Sequence, residues 1–160
     1  MLMLDQILDV IKPLCQNEPV IDETSSPKAL KISATDVLLV LDTLYRNPFA
    51  YFDMLSCITG IDNGVEAATM EVVYNLYSIP FDHHLMVNVT LSREKPEIDS
   101  VSHIWKTANW HEREILDMYG IHFRNHPDPR RILMPADWEG YPLRKDYKHQ
   151  EYYRDIKIEY

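Results

Sequence analysis

Leu85-Met86-Val87-Asn88-Val89-Thr90-Leu91 reads with a period of two, setting Leu85, Val87, Val89 and Leu91 on one face and Met86, Asn88 and Thr90 on the other. A half-buried β-strand gives that alternation, and one of its faces must look into a core. Two further runs rich in β-branched and aromatic residues precede it, Tyr51 to Ile61 and Met70 to Ile79. The short link Pro80-Phe81-Asp82-His83 makes the last two runs an antiparallel hairpin, and Gly60-Ile61-Asp62-Asn63-Gly64 marks a turn before them.

Upstream, Leu4, Ile7, Leu8 and Ile11 fall at helical spacing before Pro13. Cys15 to Pro27 reads as a loop, and Lys28 to Ile32 alternates polar and apolar residues. Ser33, with Asp36 three residues on, resembles an N-cap for a helix through Val37–Leu41 and Leu44 that stops near Asn47-Pro48. Downstream, Val101, Ile104, Trp105, Ala108, Ile115, Leu116 and Tyr119 form a helical stripe, with Gly120 placed as its stop. The pattern predicts an α+β fold, an antiparallel sheet packed by helices on one side, over residues 1–120.

Residues 121–160 lose all period. They carry four prolines, five tyrosines from Tyr141 onward, and arginines and lysines interleaved with acids. An irregular segment of this length is unusual inside a compact domain. We read it as an extended docking arm whose backbone and Tyr, Trp and Arg side chains are satisfied by another protein.

Composition narrows the function. The 160 residues are 46% apolar and 26% charged, which suits one folded domain with an appended arm. The longest purely apolar run, Val37–Leu41, is far short of the roughly 20 residues of a membrane-spanning helix. Asp5 and Asp9 stand where a signal peptide would be basic and then apolar, so a cytoplasmic location is expected. Residues 1–100 hold 6 Lys+Arg against 15 Asp+Glu, whereas residues 101–160 hold 10 of each. A dense but balanced carboxy-terminal part suits a polar protein partner better than nucleic acid.

Catalytic and cofactor signatures fail one by one. Cys15 and Cys57 form no C-x-x-C pair, which excludes zinc ribbons and cysteine-bound clusters within the chain and leaves two reduced thiols as the expectation. His111-Glu112-Arg113-Glu114-Ile115 opens like a zinc-protease helix but has Ile115 at the second histidine position. His122 and His126 are four apart, yet they lie beyond the helix stop. Glu112 falls on the apolar stripe and should be buried and paired, with an arginine as the candidate partner. Trp110, Glu114 and Asp117 fall on the opposite face, with Arg113 spaced for an ordinary salt bridge to Asp117. The chain has no glycine-rich phosphate loop, and Arg130-Arg131 and Arg144-Lys145 sit beside Asp128, Asp137 and Asp146. No catalytic, cofactor-binding or metal-binding residue is therefore expected.

Glu112-Arg113-Glu114, Asp117-Met118-Tyr119-Gly120-Ile121, His126-Pro127-Asp128, Arg130-Arg131-Ile132-Leu133, Asp137-Trp138 and Pro142-Leu143-Arg144-Lys145-Asp146 together form a pattern. From Asn109 to Tyr147 it resembles the C-type subunit of the proton-pumping NADH-quinone oxidoreductase, respiratory complex I. Asn125 and Pro129 depart from it, standing where that family usually has Gly and Leu. The resemblance implies a peripheral-arm subunit on the cytoplasmic side of the cell membrane, without a cofactor of its own. Flavin, iron-sulfur clusters and quinone would belong to partner subunits, and the arm would wrap the neighbouring D-type subunit that helps form the quinone site. On this reading His126, Asp128, Arg130, Arg131, Trp138, Arg144, Lys145 and Asp146 are interface residues, and Glu112, Arg113, Asp117 and Gly120 are structural. The same module resembles subunits of membrane-bound hydrogenases and of ferredoxin-fed complexes, which stand as the alternative, ahead of a free-standing adaptor or RNA-binding protein.

Overall fold

A computed structural model describes residues 4–158. Residues 1–3 and 159–160, the outer ends of the expected domain and arm, lie outside the described part. The chain runs through α1 (Leu4–Ile11), a single 3-10 turn (Lys12–Leu14), β1 (Val20–Asp22), β2 (Ala29–Ile32), α2 (Val37–Arg46), β3 (Met54–Asp62), β4 (Thr69–Ser78) and β5 (His83–Ser92). It continues through β6 (Glu97–Asp99), α3 (Ala108–Tyr119), β7 (His122–Arg124), β8 (Tyr152–Tyr153) and β9 (Ile156–Lys157).

The three strands expected from the sequence form the antiparallel side of a five-stranded sheet ordered β1-β2-β5-β4-β3, with β5 in the middle and β3 at the edge. In β5 the alternation holds: Leu85, Val87, Val89 and Leu91 are buried, and Met86, Asn88 and Thr90 are not. β4 and β5 pair from Thr69↔Ser92 to Ser78↔His83, and a bulge between Leu55 and Cys57 interrupts the pairing of β3 with β4.

The sheet is mixed rather than purely antiparallel, because β2 lies parallel to β5, with Leu30 opposite Val87. The cause is the crossover. A helix between two strands returns the chain to the end where it started, so β2 and β3 run the same way. The two reversals that lead to β5 then leave it parallel to β2. The Cys15 to Pro27 segment is also not all loop, since β1 pairs antiparallel with β2 and Lys31 bridges Asp22 at 2.7 Å. Both cysteines are unbonded.

The core lies between sheet and helices. Ile7 and Ile11 of α1 and Val37, Val40, Leu41 and Leu44 of α2 pack with Leu30, Val72, Tyr74, Leu76, Val87 and Val89 of the sheet. Each fully buried side chain of this kind contributes on the order of 1.5–3 kcal/mol. The α2 start differs from the expected Ser33 cap. The helix begins at Val37, the Ser33 carbonyl closes a turn with the Asp36 N–H, and the Asp36 carboxylate accepts from Asn17 N–H instead.

The Val101 stripe is only partly helical. Residues 102–107 form turns, α3 begins at Ala108, and Trp105 is fixed by its indole N–H donating to the Phe52 carbonyl at 3.1 Å. Gly120 ends the helix as expected, at φ +71° with its N–H on the Leu116 carbonyl. Directly after it, β7 pairs parallel with β6, and Ile121 and Phe123 are buried. Residues 121–124, expected in the arm, thus pack into the domain.

Candidate interaction site

The elements that carry the quoted pattern meet along α3 and the segment that returns over it. Glu112, with no exposure, directs its carboxylate inward. Oε1 accepts the Val101 N–H at 2.7 Å, and Oε2 accepts the Ser100 hydroxyl at 2.6 Å. Burial is expected and found, but the partner is not an arginine. The nearest basic group is His126, whose Nε2 lies 3.7 Å away. Burial pushes the Glu112 carboxyl up to about 7, against the pull of the Ser100 and Val101 hydrogen bonds.

His126 is locked by two backbone groups. Nδ1 accepts the Asp128 N–H at 3.0 Å, so Nε2 carries the proton and donates to the Asn109 backbone carbonyl at 3.0 Å. His122 points outward from β7 while His126 is buried, so the pair does not converge. Among the described residues no cluster of three or more His, Cys, Asp or Glu is arranged to hold a metal.

Asp117 reverses the sequence expectation. Helical spacing puts it on the exposed face with Arg113 as partner, yet its side chain is wholly buried. One carboxylate oxygen accepts the backbone N–H groups of Ile132, Leu133 and Met134 at 3.0, 2.7 and 2.8 Å, and the other faces Arg131 Nη1 at 2.8 Å. Burial alone would raise its pKa, but these N–H groups and the guanidinium together hold it below the usual carboxylate range. The face is covered because residues 130–134 fold back across it. Arg113 turns away from Asp117 to donate to the carbonyls of Arg130 and Arg131 at 3.0 and 3.3 Å, and Trp110 and Glu114 remain exposed.

Further along, Arg131 and Arg144 both lie over the Tyr141 ring, at 5.4 and 4.7 Å from its centroid. Arg144 Nε also donates to the Tyr119 carbonyl at 2.6 Å. A Cβ on Gly120 would come within 2.5 Å of Tyr141 Cε2, so the helix stop is also the point where the returning chain approaches closest. Lys145 N–H donates to Asp62 Oδ2 at 2.9 Å, and Arg93 bridges Asp62 and Asp146. Trp138 donates its indole N–H to the Tyr147 hydroxyl and packs on Tyr153. Arg131, Arg144 and Asp146 are therefore engaged within the chain itself. Arg130 is the most exposed of the expected arginines, held only by Asp128 at 2.6 Å.

Sequence reasoning missed Asp62 and Arg93, which anchor the segment from the far end of the sheet. Asp62 carried a signal in the Asp62-Asn63-Gly64 turn, and it accepts the Gly64 N–H there. Its pairing with Lys145, 83 positions away, had none. Asn125 adopts φ +61°, the left-handed conformation for which a glycine is suited and which asparagine tolerates.

These features define a mixed-sheet α+β domain closed by an irregular segment that is hydrogen-bonded back onto its last long helix. The family described as "Respiratory-chain NADH dehydrogenase, 30 Kd subunit" matches residues 30–153, and the chain belongs to it. It is 54% identical over 110 residues to the C-type subunit of the NADH-quinone oxidoreductase of Chloroherpeton thalassium, covering 68% of this chain and 45% of that protein. It is 49% identical over 115 residues to the corresponding subunit of Chlorobium phaeobacteroides, covering 71% and 69%. The chain thus spans less than half the length of the first of these relatives. The fold is shared with a trypsin-resistant fragment of Nqo5, at 24% identity and a TM-score of 0.57 over 69% of this chain and 89% of that one. It is also shared with a chain of an archaeal respiratory complex, the membrane-bound sulfane sulfur reductase, at 21% identity and a TM-score of 0.66 over 91% and 83%.

Proposed function

We propose that the chain is a cofactor-free peripheral subunit of a membrane-associated NADH-quinone oxidoreductase, which couples electron transfer from NADH to quinone with proton translocation. The observation that carries this reading is the family match over residues 30–153, together with 49% identity across 69% of a relative named for NADH-quinone oxidoreductase. The chain's own part is to scaffold the D-type quinone-site subunit. Flavin, iron-sulfur clusters and quinone belong to partner subunits, and no residue of this chain takes part in redox chemistry. The buried carboxylates support that division of labour, since Glu112 and Asp117 are each consumed by backbone and neighbouring side chains and do not face a common cleft.

Among the described residues no helix is long and apolar enough to cross a membrane. Attachment is through other subunits, on the cytoplasmic side. The docking surface includes His126, Asp128, Arg130, Arg131, Trp138, Arg144, Lys145 and Asp146. Buried His126 and half-buried Asp128, Arg131, Trp138 and Arg144 shape the surface, and the exposed members Arg130, Lys145 and Asp146 touch the partner, Asp146 with the part of its carboxylate that Arg93 leaves open.

The alternative is an equivalent subunit of a membrane-bound hydrogenase or ferredoxin-fed complex. It draws on the fold shared with the sulfane sulfur reductase chain, which leaves the electron donor open. The relatives named for NADH and quinone favour the first reading. Purification of the native complex through a tag on this chain, followed by mass spectrometry of its companions, tests both. Flavin- and cluster-bearing NADH dehydrogenase subunits are expected. Hydrogenase subunits would support the alternative, and a chain purified alone would overturn both.

A further inference from the structure

Outside the network of buried carboxylates, an open cleft of about 480 Å³ lies between α3 and the returning segment, lined by Arg113, Pro129, Arg130, Arg131 and Ala136. Three arginines line it and no Asp or Glu does, although the Arg131 guanidinium is already spent on Asp117 and the Gly140 carbonyl. Their counter-charges are two: Asp117, wholly buried against Arg131, and Asp128, which sits 2.6 Å from Arg130 and 3.8 Å from Arg113. Arg113 is the least compensated. Its Nε and Nη2 donate to the neutral carbonyls of Arg130 and Arg131, while its Nη1 comes no closer than 3.8 Å to Asp128. Arg130 is 79% exposed, and its guanidinium forks onto Asp128 at 2.6 and 2.9 Å. Beside them Trp110 is 67% exposed, with the Arg113 guanidinium 6.0 Å from its ring centroid.

We propose that this cleft seats a carboxylate-bearing segment of a partner protein, with Arg113 and Arg130 forking onto the carboxylate and Trp110 packing beside it. It rests on the reading of the chain as a subunit of a larger assembly. A guanidinium fork matches a planar carboxylate in two hydrogen bonds. Arginine and tryptophan together are the residues that most often dominate binding at protein interfaces. The charge of the whole chain decides the class of partner. At a net charge of −9 the chain repels a polyanion such as a nucleic acid, whereas a local excess of one positive charge fits a single acidic side chain. Arg130 is the element that selects, because it can swing from Asp128 to the incoming carboxylate without disturbing the backbone that Arg113 and Asp117 hold.

The test uses the full chain assembled in its native complex. Ala136 is exposed on the cleft wall, so Ala136→benzoylphenylalanine places a photo-crosslinker there. The expected product joins this chain to one companion protein within a few residues of an Asp or Glu side chain. Two variants complete the test, Arg130→Glu and Ala136→Glu, each of which supplies a carboxylate of its own to the cleft. Each should weaken retention of that companion by about tenfold, because the introduced carboxylate repels the one the cleft would seat. Melting of the isolated chain should change little, because both side chains are exposed and the Arg130–Asp128 pair that the first variant breaks lies in water. Crosslinks to lipid, to nucleic acid or to a neutral segment would overturn the proposal, as would unchanged retention of the companion by both variants. The two readings separate cleanly. Oxidoreductase companions with no effect of either variant sink the cleft alone. An acidic crosslink to a companion outside any oxidoreductase sinks the proposed function alone, and a chain with no companions sinks both.

Discussion

Arg131 Nη1 stands 2.8 Å from Asp117 Oδ1, and this contact between α3 and the returning segment closes a set of four hydrogen bonds around one buried carboxylate. The set converts an irregular, proline-rich stretch into an ordered one. Three consecutive backbone N–H groups at 132–134, which no helix or strand partner serves, are all satisfied by the Asp117 side chain.

Asp117→Ala should therefore cost more than a typical surface change. It leaves three N–H groups and the Arg131 charge without their acceptor, and removal of one partner from a buried pair costs about 3–5 kcal/mol. Denaturant unfolding of the full chain measures the loss, and protease sensitivity around Ile132 should rise with it. Because the folded carboxyl titrates below its ordinary value of 3.8, this stabilisation is fully present above that pH. It is lost as pH falls through the lower, folded value.

Glu112 titrates in the opposite sense. Its folded pKa, raised from 4.5 to about 7, means the folded state holds the proton more tightly than the unfolded chain. Stability from this group is therefore greatest below 4.5 and declines as pH rises to about 7, by about 3 kcal/mol at roughly 1.4 kcal/mol per unit. Glu112→Gln should remove that decline. The difference between the two proteins in urea midpoints across this window isolates it, since all other groups cancel. Glu112→Ala should destabilise at every pH, by about 1–3 kcal/mol for the orphaned Val101 N–H alone.

Gly120→Ala tests the helix stop and the close approach together. At φ +71° an L side chain costs about 1–2 kcal/mol. The added Cβ would also displace Tyr141 and the Arg144 guanidinium, 2.5 and 2.8 Å from its position. The expected outcome is a lower melting temperature with the Tyr141 environment altered, read by tyrosine fluorescence or NMR.

Limited trypsin digestion should cut first at Lys148, Arg154 and Lys157, beyond the last anchor at Asp146. The β8–β9 hairpin there is tied mainly to the arm, through Tyr153 and Arg154 on Asp137. Cleavage at Arg131 and Arg144 should be slow. Truncation after Gly120 should not leave a domain that melts like the whole. It would strip β7, uncover the core beneath Ile121 and Phe123, orphan Asp117, and take from Asp62 the Lys145 N–H, leaving it Arg93 and the Gly64 N–H.

The purified chain is expected to show no flavin or iron-sulfur absorbance and no oxidoreductase activity by itself. A stoichiometric visible spectrum would refute the assignment of cofactors to its partners.

Periodicity is a local property, and it reached most of the local structure, though it read residues 101–107 as helix where the chain makes turns. It gave the alternation of β5, the hairpin with β4, the apolar faces of α1 and α2, the stop at Gly120 and the burial of Glu112, each written within about a dozen consecutive residues. The three-residue strands β1, β6 and β7 escaped, because three residues do not complete enough of a period to be told from a loop. The parallel pairing of β2 with β5 depended on the order of reversals along the chain, not on any side chain. Asp117 was misplaced for a different reason. Helical spacing assigns a face, but whether that face meets water or another part of the chain depends on where residues 130–146 return. Only the tertiary structure sets that path, through contacts such as Asp117 with Arg131 and Asp62 with Lys145, whose partners lie 14 and 83 positions apart.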